Sequence, residues 1–121
     1  MNKIQNSKQY DLEDRTLLFA RNVRNFVKDL KKSVANIEDG KQLIRSSGSV
    51  GANYIEANES LSKKDFAHRI KICRKEAKES SYWLSLVDTS DSEKLNDERM
   101  LLLKESTELM KIFSAIMRKS V

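Results

Sequence analysis

Residues Asp11–Val34 read DLEDRTLLFARNVRNFVKDLKKSV. Leu12, Thr16, Phe19, Val23, Phe26, Leu30 and Val34 fall at steps of three and four, and Ala20 and Val27 widen the stripe. That spacing holds side chains on one face of a helix with about 3.6 residues per turn, so the segment is expected to be an amphipathic helix over 11–35. Working outward, the pattern repeats three times. Leu43, Ser47, Val50, Tyr54, Ala57 and Leu61 mark a helix over 39–61, with a second row through Ile44, Gly48, Gly51 or Ala52, and Ile55. Phe66, Ile70, Cys73, Ala77 and Leu84 mark one over 63–88, and Leu95, Leu102, Leu109, Ile112 or Phe113, and Ile116 one over 93–119. Ser62 is placed to cap the third helix, with Asp65 at its third position in the manner of a capping box. Thr89-Ser90-Asp91-Ser92 reads as a loop. No segment sustains the period of two expected of a strand. The expected fold is all-α: an up-down-up-down antiparallel four-helix bundle filling 1–121 as one domain.

The second helix leaves a choice. Gly48 and Gly51 in a helix interior each cost about 1 kcal/mol relative to alanine, so the chain either breaks at Ser46–Gly51 or continues, the glycines admitting a neighbouring backbone. The unchanged apolar phase on both sides favours continuity.

Composition supports this reading and narrows the function. The 121 residues contain no proline and three glycines, too few turn formers for a sandwich or barrel. One cysteine excludes an internal disulfide and a multi-cysteine zinc site. No apolar run approaches the roughly 18 residues of a membrane span, and Met1–Tyr10 is too polar for a signal peptide, so a cytoplasmic protein with no membrane partner is expected.

Catalytic residue types are scarce. His68 is the sole histidine, so a two-histidine metal site is impossible, and it falls opposite the apolar seam. Cys73 lies on the seam, where a cysteine serves as a small hydrophobe. Glu56, Glu59, Glu76 and Glu79 lack the histidine three residues on that a di-iron bundle needs. Ser46–Gly51 is neither a nucleophile elbow nor a P-loop. Gly48-Ser49-Val50-Gly51 matches the GXXG of a KH domain, but that fold needs a sheet. No enzyme, cofactor or metal is expected.

Charge placement says more. The net charge is +5, and the excess sits in residues 1–37 (+4) and 62–88 (+3). Lys64, Lys71, Lys75 and Lys78 fall within about 60° of one another on the third helix, pointing away from its seam. Arg24, Lys28 and Lys31, with Lys32, form a second outward cluster on the first. Such patches are the footprint of a phosphate-binding surface; the alternative is a merely solvated face. Ile72 and Trp83, with Arg69 and Glu76, form a partly polar flank of the third helix, suited either to a lid on the bundle or to a subunit contact.

The middle of the chain carries a set of short motifs in order: Gln42-Leu43, Arg45-Ser46, Ser49-Val50-Gly51-Ala52-Asn53 with Glu56, Ser62-Lys63-Lys64-Asp65-Phe66, Lys75-Glu76-Ala77, Glu79-Ser80 and Tyr82-Trp83-Leu84. This set resembles the four-helix-bundle family typified by proteins encoded in intervening sequences of bacterial 23S ribosomal RNA genes. Ala57 departs from it, where many members have glycine. The resemblance implies a four-helix bundle, often a ring-shaped homopentamer, and a fold relation to the accessory protein of diversity-generating retroelements, a basic pentamer that binds nucleic acid and a reverse transcriptase. It attributes no catalytic residues. Arg45, Asn53 and Glu56 look structural, with partners on neighbouring helices or subunits. The expectation is a non-enzymatic homo-oligomer that binds RNA or DNA through Lys64, Lys71, Lys75, Lys78, Arg24, Lys28 and Lys31. Its subunit contacts are expected at Ile72, Trp83, Arg69 and Glu76. The rival expectation is a protein-interaction scaffold with no role on nucleic acid.

Overall fold

The computed structural model describes residues 7–120, with side chains from Leu12 onward. Four helices follow in order: α1 Ser7–Lys28, α2 Val34–Asn58, α3 Lys63–Leu86 and α4 Glu93–Lys119. Each packs on the next and α4 returns to α1, while the diagonal pairs make no close backbone approach among the described residues. The α2–α3 pair is the most closely packed and α1–α4 the least. This is the bundle the apolar periodicity requires, with no strand among the described residues.

The first two helix boundaries depart from the sequence expectation. α1 stops at Lys28 rather than 35, and Asp29 and Leu30 close its last turn with N–H bonds to Phe26 and Val27 carbonyls. Ser33 then caps α2, its hydroxyl accepting the Asn36 N–H at 3.1 Å. α2 therefore begins at Val34 instead of 39 and ends at Asn58 instead of 61. The local cap outweighs the continuing apolar phase. Leu30 stays in the core from outside the helix, whereas Val34 is 82% exposed. Leu61, expected on the stripe of the second helix, lies in the following loop and is 98% exposed. Ser62 and Ser92 cap α3 and α4 by accepting the Asp65 and Leu95 N–H groups.

α2 runs unbroken through Gly48 and Gly51. The core holds Phe19, Val23, Phe26, Leu43, Val50, Ile70, Ala77, Leu84 and Leu109 at essentially no exposure. Phe66 and Ile116, expected with them, are only partly buried at its edge, since both lie near the open end where the α2–α3 loop meets the last turn of α4.

Polar side chains tie the ends. The Asn36 amide donates to the Lys31 and Asp88 carbonyls at 2.9 Å each and accepts the Asp88 N–H at 2.9 Å. One buried side chain thus joins the α1–α2 loop to the α3–α4 loop. Arg99 donates to the Val87 carbonyl at 2.7 Å. Arg15 forms a two-pronged ion pair with Glu105 across α1 and α4.

Candidate nucleic-acid interface

The α3 seam (Phe66, Ile70, Cys73, Ala77, Leu84) faces the core, so the residues half a turn away face solvent. Lys64, Lys71, Lys75 and Lys78 occupy that outer face, and all four are exposed. None of the four forms an ion pair with any described residue. From Lys64 to Tyr82 the face is about 27 Å long at about 1.5 Å per residue.

The two carboxylates in the middle of α3 point elsewhere, and Arg45 is the reason. From α2 its guanidinium donates to Glu76 at 3.2 Å, to Glu79, and to the side-chain carbonyl of Gln42 at 3.2 Å. Burial works to lower the Arg45 pKa, but the charges of Glu76 and Glu79 outweigh it and the net shift is upward. Arg45 thus stays cationic and holds both carboxylates toward α2. The outer lysine row is left without a negative charge between Lys71 and Lys78, which raises its attraction for a polyanion.

Glu79 also accepts the Trp83 indole N–H at 3.1 Å. Trp83 is partly buried against the core, and the Tyr82 ring meets it near-perpendicular, centroids 5.0 Å apart at 79°. Tyr82 is 59% exposed and shares the lysine face, one turn beyond Lys78. Helical spacing from Lys75 and Lys78 is the sequence signal that puts Tyr82 on this face.

The second basic cluster spans the C-terminal half of α1 and the loop after it. Arg24 bends back, donating to the Ala20 carbonyl at 3.2 Å beside Gly48, Lys28 is the last residue of α1, and Lys31 lies in the α1–α2 loop. All three are exposed. The interface candidates divide. Glu76 is 8% exposed and paired with Arg45, and Arg69 donates to Asn53 at 2.9 Å. Ile72 and Trp83 are partly buried. Glu76 therefore has almost no surface to offer a neighbour. Strongly exposed apolar side chains lie elsewhere, among them Leu17 and Leu18 of α1, Ile37 and Ile55 of α2, and Met100 and Leu101 of α4. Ile55 stands on the second apolar row of the helix over 39–61, while Leu17, Leu18, Met100 and Leu101 adjoin the buried stripes of their own helices and fall outside the expected contact set.

Cys73 is buried, and burial pushes its thiol up to about 12. His68 is exposed. Among the described residues no group of three or more His, Cys, Asp or Glu side chains could hold a metal ion, and no helix is long and apolar enough to cross a membrane.

Several motif residues turn out to be cross-braces. Arg45 and Asn53 on α2 meet Glu76, Glu79 and Arg69 on α3. Ser46 meets Ser80 at 2.9 Å, and Gly51 lies against Thr16 of α1. No curated protein matches the chain. A crystal structure at 1.70 Å of a protein of unknown function from the S23 ribosomal protein family, from Bacteroides thetaiotaomicron VPI-5482, is similar. It has 32% identity and a TM-score of 0.77 over 92% of this chain and 98% of that one. The family model for the 23S rRNA-intervening sequence protein matches residues 8–115. The chain belongs to the 23S rRNA-intervening sequence protein family.

Proposed function

We propose that this bundle is a non-enzymatic nucleic-acid-binding protein that engages phosphates through the outer face of α3. The observation that carries the reading is the exposed row Lys64, Lys71, Lys75 and Lys78, free of ion pairs with described residues while Arg45 draws Glu76 and Glu79 away. Lysine meets phosphate as a point charge and carries no planar code for base edges, so binding is sequence-tolerant. Arg24 and Lys28 on α1, with Lys31 in the loop that follows, are a second candidate surface.

The exposed apolar side chains of α1, α2 and α4 favour self-association, and the family resemblance points to a homopentamer. A ring would repeat the lysine row in each subunit and convert weak contacts into avidity. Self-association is checked by sedimentation equilibrium: a species of 14.0 kDa alone at high micromolar concentration would contradict it.

A salt titration tests binding. Log affinity for a labelled RNA should fall with log salt by about 0.9 per duplex phosphate contacted, or about 0.7 on a single strand. The double variant Lys71→Glu/Lys75→Glu should bind all sequences more weakly with its oligomeric state unchanged. A flat salt slope, or equal affinity of the two proteins, would favour the protein-interaction scaffold instead.

A further inference from the structure

We propose that Tyr82 is a base-stacking platform at the end of the α3 lysine row, which makes the surface selective for unpaired, single-stranded nucleic acid. This rests on the phosphate-binding role of α3 and adds which form of nucleic acid it takes. Among the described residues Tyr82 is the one Phe, Tyr or Trp side chain left mostly exposed. Phe19, Phe26, Tyr54 and Phe113 are buried, and Phe66 and Trp83 partly so.

The ring is exposed but not loose. Its neighbour Trp83 packs against the core and donates to Glu79. Glu79 is gripped by Arg45, which is anchored on the adjacent helix. Trp83 meets Tyr82 near-perpendicular, a favourable arrangement for aromatic pairs. A ring fixed in this way loses little conformational freedom when a base settles on it. The chain Arg45–Glu79–Trp83–Tyr82 therefore does two things at once: it removes negative charge from the lysine row and steadies the aromatic group at its end.

Lys78 and Lys75 lie one and two turns before Tyr82 on the same face. A strand whose phosphates follow Lys71, Lys75 and Lys78 can lay the next base on the ring. A duplex cannot, because its bases are already stacked on each other within the helix. Basic tracks ending in aromatic side chains are the general means of binding single strands with little sequence preference.

The test is fluorescence anisotropy with labelled oligouridine, oligothymidine, and a duplex of the same length, for the wild type, Tyr82→Phe, Tyr82→Ala and Lys71→Glu/Lys75→Glu. Circular dichroism confirms that each variant is folded. Wild type should bind both single strands more tightly than the duplex. Tyr82→Ala should lose roughly tenfold on the single strands, little on the duplex, and keep its salt slope, while Tyr82→Phe should retain the wild-type preference. Emission from Trp83, the sole tryptophan, should be quenched by single strands in the wild type and much less in Tyr82→Ala. Equal affinity of wild type for duplex and single strand, or equal losses for Tyr82→Ala on both, would overturn the platform. If Lys71→Glu/Lys75→Glu weakens binding but Tyr82→Ala does not, the platform fails and the basic-face reading stands. If the wild type binds none of the three oligomers, both fail.

Discussion

Gly51 of α2 rests directly on Thr16 of α1: a Cβ at position 51 would lie 2.8 Å from the Thr16 hydroxyl oxygen and 3.1 Å from its Cβ. Both Thr16 atoms belong to a β-branched side chain that is 1% exposed and cannot swing aside. Gly51→Ala should therefore destabilise the protein by about 1–3 kcal/mol through overpacking, despite alanine's better helix propensity. Gly48 provides the contrast. A Cβ there meets only the guanidinium end of Arg24, at 3.3 Å, which is flexible and exposed. Gly48→Ala should be neutral or stabilising by up to about 1 kcal/mol. Urea midpoints for the two variants check the difference in sign.

The bundle was largely readable because burial imposes a periodicity that chain chemistry cannot hide. Of the seam residues on the third helix, Ile70, Cys73, Ala77 and Leu84 are all fully buried. The α1–α2 boundary was not readable because the stripe of three and four continues through Leu30 to Val34, while the decisive event is a local one, Ser33 capping Asn36. The outward placement of the lysine row followed from spacing alone. Its freedom from acids did not, since it depends on which helix Arg45 leans toward. The composition of α3 shows Glu76 and Glu79 among the lysines and gives no hint that α2 removes them.

Arg45 offers a direct energetic test. Its own side chain is half-exposed, but Glu76 keeps only 10% of its side-chain surface. Arg45→Ala would strand that carboxylate near the core boundary and should cost about 1–3 kcal/mol. Combining it with Glu76→Gln should cost less than the two single losses added together, because the neutral amide no longer needs the cation. Thermal midpoints of the four proteins in the cycle measure the coupling. Trp83 emission should shift in Arg45→Ala, since Glu79 loses the partner that holds it against the indole.

Asn36 predicts a strict requirement for the amide. Its oxygen accepts one backbone N–H and its nitrogen serves two carbonyls from two different loops. Asn36→Ala leaves three backbone groups without their partner and should destabilise by about 2–4 kcal/mol. Asn36→Asp should be no milder, because a carboxylate has no N–H to give the Lys31 and Asp88 carbonyls and repels both. Denaturant midpoints measure the loss. Hydrogen exchange at the Asp88 amide should accelerate in both variants, which a loss confined to α2 would not produce.

Cys73 links the core to pH. Burial is the main cause that lifts its thiol from an ordinary 9.0 to about 12, against smaller downward pulls from its own backbone and from Arg69. In the unfolded chain the thiol ionises near its ordinary value, while in the folded protein it keeps its proton to much higher pH. Between about 9 and about 12 the folded state therefore binds more protons than the unfolded state, and stability falls as pH rises. Below pH 9 the contribution is fully present. The slope for one proton is at most about 1.4 kcal/mol per pH unit. Other groups titrate in the same range, so the informative quantity is the difference between wild type and Cys73→Ala. Wild type should be the more stable near pH 7, where alanine leaves a small cavity, and that advantage should shrink steadily above pH 9. The same burial predicts that an aromatic disulfide reagent reacts with Cys73 slowly at pH 8 and rapidly once urea unfolds the chain. Fast reaction in the native state would place the thiol at the surface, and a constant stability difference from pH 8 to 11 would remove its coupling to folding.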